Sequence, residues 1–173
     1  MRALVTLLVL ATASPALAQE EGTEEIGREE GPRGADKGTF GVGLILGEPT
    51  GISAKLYLAD DQAIQAGVGF ALISGGLHVH GDYVFHPVIL QTRDSFVLPV
   101  YVGPGVRLLQ YDDGRDESGF AIGVRAVGGL LFDFKEIPLD AFVEVAGVLE
   151  YKFEDGEGFG LGLNAGAGAR YYF

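Results

Sequence analysis

His78-x-His80 places two imidazoles on one side of an extended chain, and Asp82 follows on the same side. Three such donors in a row are a possible metal site. His86 cannot join them, since it lies about 26 Å from His78 at ~3.3 Å per residue. A polar cluster accounts for the same residues without an ion, so no metal or other cofactor is assigned. Lys55, Arg125 and Glu144 fall near the middle of extended segments, and Arg125 and Glu144 belong to neighbouring ones, within pairing reach. Asp140 and Arg170 are expected to face each other near one end. Ion pairs of this kind can form a gate for small solutes or a static plug. The acidic runs Asp112–Glu117 and Glu154–Glu157 offer carboxylates without the spacing of a calcium-binding loop, and are read as solvated tips. The absence of Cys removes thiol nucleophiles, Cys-based zinc sites and disulfides. The Gly-x-Gly pairs never extend to the spacing that cradles a dinucleotide, and no enzymatic activity is expected.

The segments that must position these groups alternate with period two, the spacing that sends successive side chains to opposite faces of a strand. Eight are expected, over 39–46, 52–58, 63–72, 77–86, 96–108, 120–132, 139–151 and 159–173, with turn residues between them. One row of alternate positions is apolar throughout apart from three glycines and Pro104. The other row carries Lys55, Asp82, Arg107, Arg125, Asp140, Glu144, Glu150 and Arg170, four charges of each sign, with His78, His80, His86 and many glycines. Glycine makes up 28 of 173 residues, about twice the usual ~7%.

The whole chain has a net charge of −12 and a pI near 4.5, which excludes a nucleic-acid partner. The imbalance comes largely from the loops and from residues 19–37, a run rich in acids with a single Ile, expected to be a disordered leader. Residues 1–18 read as a secretory signal peptide: Arg2, an uncharged stretch from Ala3 to Ala13, and Ala16-Leu17-Ala18 before Gln19. The remaining domain is 38–173.

Two arrangements of the rows compete. A soluble barrel with an apolar interior turns the polar row to water and binds an apolar ligand. Yet a water-facing row has no reason to be rich in glycine and balanced in charge. A small transmembrane barrel turns the apolar row to lipid and the small and polar row inward. Eight strands leave an interior just wide enough for side chains, which favours glycines and requires buried charges to be paired. The eleven aromatics of the apolar row stand at or near segment ends, from Phe40 and Phe70 to Tyr171 and Phe173, as two interfacial girdles require.

With these features the chain resembles the small eight-stranded outer-membrane barrels of the OmpA/OmpX type. The closing residues Tyr171 and Phe173, after Ala165, Ala167 and Ala169, are similar to the signal by which the barrel-assembly machinery recognises its clients. The resemblance implies an all-β, eight-stranded antiparallel up-and-down transmembrane β-barrel in the outer membrane. Its partners would be membrane lipids and lipopolysaccharide, and it would act as a monomer. A structural or accessory role with a plugged lumen is expected. A narrow pore for ions or small polar solutes and a soluble periplasmic barrel remain the alternatives.

Overall fold

The structure, a computed structural model, describes residues 37–73, 75–112, 118–153 and 158–173; the expected signal peptide, most of the leader and, apart from Asp112, both acidic tips lie outside them. Among the described residues there are eight strands: β1 (Phe40–Gly47), β2 (Thr50–Ala59), β3 (Gln62–Phe70), β4 (Leu77–Thr92), β5 (Phe96–Asp112), β6 (Ser118–Phe134), β7 (Leu139–Phe153) and β8 (Gly158–Tyr172). Each pairs antiparallel with the next, and β8 returns to β1, so the meander closes into a hydrogen-bonded ring. The tight β1–β2 turn uses Gly47, whose φ of 131° suits a residue without a Cβ. The Thr50 hydroxyl accepts the Gly47 N–H and donates to the Gly47 carbonyl.

The register carries a stagger around the ring. From Gly41, cross-strand partners run through Lys55, Gln65, Asp82, Gly105, Arg125 and Val148 to Gly162 on β8. Gly41 is itself paired with Tyr172. The circuit therefore closes ten residues away from where it arrives on β8.

Alternation decides the two faces. The apolar row points outward and is exposed, from Leu44 and Ile52 to Val145 and Leu161, while the charged and polar row is buried inside the ring. Tyr57, Tyr101, Phe142 and Tyr172 occupy the interior toward the end where β1 begins and β8 ends, the terminal end of the described residues. Ala71, Leu109 and Ala121 form a smaller apolar cluster toward the other.

The interior glycines are seats for large side chains on the neighbouring strand. Gly41 is the register partner of Tyr172, Gly67 of His80, Gly129 of Tyr101 and Gly168 of Phe142. A Cβ at any of these would fall within 3 Å of the partner's ring. Native interiors are packed too closely to absorb such overlap. Three outward glycines differ: around Gly81 and Gly147 a Cβ would meet nothing within 4 Å, and around Gly128 nothing closer than 3.8 Å.

Two sequence expectations are corrected. Residues 87–95 are not all turn, since β4 runs on to Thr92. Its register with β5 shifts between Phe85 and Val88, and Pro87 lies in that irregularity, where a missing N–H disrupts no ladder. Tyr83 and Phe85 consequently stand within a sixteen-residue strand and not at its end. Phe85 is nevertheless paired with Gln62, the first residue of β3, so it lies level with the β2–β3 turn.

Gly129→Val is expected to lower the stability of the folded protein by about 1–3 kcal/mol through overpacking against Tyr101. Gly147→Ala should leave it unchanged or raise it by up to about 1 kcal/mol. Urea unfolding followed by tyrosine fluorescence measures both, and equal losses would show that the seats are not tight.

Candidate functional site

The charged row converges on the ring's interior in three groups. In the middle, Asp82 on β4, Arg125 on β6 and Glu144 on β7 form one unit. Arg125 Nε lies 2.9 Å from Asp82 Oδ1, and Nη2 donates to Glu144 Oε1 at 3.2 Å. Asp82 and Arg125 are two strands apart, and the residue paired with both is Gly105, whose missing side chain leaves room for the Asp82 carboxylate. Glu144 is flanked in the same way by Gly129 and Gly166. The Tyr101 hydroxyl donates to Glu144 Oε2 at 2.8 Å. Gln65 Nε2 donates to Asp82 Oδ2 at 3.1 Å and to Glu144 Oε2 at 3.0 Å. Each carboxylate thus gives one oxygen to the guanidinium and the other to a shared amide nitrogen.

Toward the termini, Arg170 reaches Asp140 Oδ2 at 3.5 Å and donates to Ser53 Oγ at 3.0 Å, with its guanidinium 3.8 Å above the Phe142 ring. Asp140 Oδ2 also accepts the Tyr172 hydroxyl at 2.5 Å. Lys55, 1% exposed, has no carboxylate within ion-pair distance among the described residues. Its ammonium lies 2.9 Å from His86 Nε2 and about 5 Å from the centres of the Tyr57 and Tyr101 rings. His86 Nδ1 faces the Asp61 carbonyl at 3.1 Å; donating there leaves Nε2 to accept from the lysine. Rings over a desolvated ammonium supply part of what water would otherwise give.

In the third group, toward the opposite end, Arg107 pairs with Glu150 at 2.8 Å and donates to Asn164 Oδ1 at 3.3 Å. His78 Nε2 and His80 Nδ1 lie 3.3 Å apart. The three histidines therefore divide: His78 and His80 stay together, and His86 joins Lys55. A ring nitrogen of His80, an oxygen of Asp82 and an oxygen of Glu144 lie within 4.8 Å of one another.

Sequence reasoning missed one pair. Lys37, read as the last residue of the leader, is part-buried, with a side chain 5% exposed that is bonded to Asp133, and it also donates to the Leu139 carbonyl at 2.6 Å. The signal was present in β6: Asp133 continues the inward alternation Val127, Gly129, Leu131 and so needs a counter-charge. Tyr171 and Phe173 stand on the outer face with ring centroids 5.2 Å apart.

The arrangement braces strands that are not neighbours in the ring. β3, β4, β5, β6 and β7 all contribute to the middle group, and β2, β7 and β8 to the group around Arg170. Comparison with protein-family models, with curated proteins and with solved structures gave no match.

Glu144→Gln is expected to cost about 3–5 kcal/mol, because it leaves the buried Arg125 with half of its compensation. Lys152→Gln, at a pair whose lysine is 45% exposed and 3.9 Å from Glu150, should cost under about 1 kcal/mol. Equilibrium unfolding of the two variants decides, and equal losses would count against a structural role for the middle group.

Proposed function

We propose that this chain is an outer-membrane β-barrel of OmpA/OmpX-type architecture, with a structural or accessory role and an interior plugged by paired charges. The observation that carries the reading is the inversion of the faces. Leu161 on the outer row of β8 is 88% exposed, whereas Arg170 on the inward row of the same strand is 2% exposed. Water penalises a continuous apolar exterior, and hydrocarbon rewards it. A soluble barrel with an apolar ligand cavity needs the opposite arrangement.

The register supports the same reading. An offset of ten residues over eight strands gives a strand tilt of about 40°, from ~3.3 Å per residue and ~4.8 Å per strand. At that tilt the eight to ten residues of β1, β2 and β3 rise roughly 20–25 Å. An apolar band of about 25 Å is what an outer-membrane barrel presents. Aromatic side chains gather toward both ends of the outer face. Tyr83 with Phe85, Phe96 with Phe132 and Tyr171 with Phe173 lie toward the termini, and Tyr151 with Phe153 and Phe159 toward the other end. Rings at the two levels suit the two membrane interfaces. On this reading Tyr171 and Phe173 are offered to the barrel-assembly machinery, lipid and lipopolysaccharide cover the outer rows, and the barrel needs no second copy.

Val143 is the fifth of the fifteen residues of β7 and lies on its exposed row. Val143→Arg is expected to cost up to about 2–4 kcal/mol in a bilayer, since the charge would enter the hydrocarbon. Unfolding from lipid vesicles measures it, and a near-neutral result rejects the assignment of faces. Membrane fractionation adds a direct check: the protein should resist carbonate extraction and shift on gels upon heating. Clean release by carbonate favours a soluble barrel, and stable single-channel steps in a planar bilayer favour a pore.

A further inference from the structure

We infer that the middle of the interior is a binding site for a first-row divalent cation of the zinc type, ligated by His80, Asp82, Glu144 and Gln65. The inference depends on the packing inside the ring and not on what covers the outside. Two carboxylates face one guanidinium there. Arg125 takes Oδ1 of Asp82 and Oε1 of Glu144, which neutralises one of the two negative charges. The other side of the carboxylate pair meets only neutral groups: the Tyr101 hydroxyl donates to Oε2 at 2.8 Å, and Gln65 Nε2 stands between Oδ2 and Oε2, 3.1 and 3.0 Å away. That is the position a cation would take between two anionic oxygens.

A second observation concerns the rest of that amide. Gln65 is 2% exposed, and its Oε1 has no hydrogen-bond partner, although a buried carbonyl without one carries a desolvation cost. Rotating the amide by a half-turn exchanges the two atoms. The oxygen would then point at two carboxylate oxygens, an arrangement that repels unless a cation lies among the three. A ring nitrogen of His80 completes the set, within 4.8 Å of both carboxylates. Behind it, His78 Nε2 lies 3.3 Å from His80 Nδ1, the outer support that fixes a ligating imidazole. His78 Nδ1 is also buried without a partner. One imidazole nitrogen with carboxylate and amide oxygens suits zinc and its neighbours, whereas magnesium and calcium prefer oxygen alone.

All four donors are buried, so the metal is best supplied while the ring closes. The full chain is refolded from urea into detergent micelles with Zn2+, then dialysed against excess Mg2+. The expected result is one zinc per chain by elemental mass spectrometry and a raised unfolding temperature. His80→Phe keeps a ring over Gly67 but removes the nitrogen, and should weaken zinc binding about tenfold or more. Gln65→Met should also weaken it, and His86→Gln, at the lysine site, should not. Retention of less than about a tenth of a zinc per chain, exchange for Mg2+, or wild-type binding by His80→Phe would overturn the proposal. Should His80→Phe fail to fold, zinc-edge X-ray absorption of the wild-type protein decides. A shell with one imidazole nitrogen and oxygen donors supports the site, and an all-oxygen shell overturns it.

Discussion

Arg125 between Asp82 and Glu144 is the interaction on which the interior depends. A charge taken out of water costs several kcal/mol unless a partner stands within bonding distance. Here the partners come from β4 and β7, the charge from β6, and the bracing groups from β3 and β5. Five of the eight strands are tied through one set of atoms. Register follows from this, because a slip of one residue on any of the five would carry its polar side chain to the apolar exterior. The Lys37–Asp133 pair adds one charge of each sign to the four positive and four negative charges of the expected inward row, so the pairing is kept in a chain of net charge −12.

Glycine is the geometric counterpart of that pairing. A ring of eight strands leaves an interior about as wide as its own side chains. Several of its tyrosines, histidines and arginines fit beside a position that has given up its Cβ. Hence Gly129 lies beside Tyr101, Gly67 beside His80 and Gly105 between Asp82 and Arg125. The conformational cost of glycine in a strand is offset by the packing and pairing it permits. The outward glycines are of another kind, since Gly81 and Gly147 accommodate no neighbouring side chain.

On the proposed reading the molecule reverses the usual distribution of polarity, and the same alternation supports two tasks. On that reading one row would meet hydrocarbon, while the other carries a network that cross-braces the ring. Lys55 illustrates how far the interior goes to hold charge without water. It has a histidine nitrogen and two tyrosine rings for neighbours in place of a carboxylate.

The sequence by itself determined the strand count, the order and the division of residues between two rows. Those depend on local alternation and turn residues, which one segment displays without reference to any other. It also identified most of the inward charges, since Lys55, Arg125 and Glu144 stand out in an otherwise apolar and glycine-rich texture. It misplaced the end of β4, because Pro87 reads locally as a breaker and only the shifted register with β5 makes it tolerable. It left Lys37 in the leader, because its counter-charge Asp133 lies 96 positions away. Tertiary structure alone decided which charges meet: that Arg125 holds both Asp82 and Glu144, that His86 turns to Lys55, and that the Gln65 amide bridges two carboxylates. Those contacts join strands far apart in the chain, and their distances are set by a ten-residue stagger that appears only when β8 closes on β1.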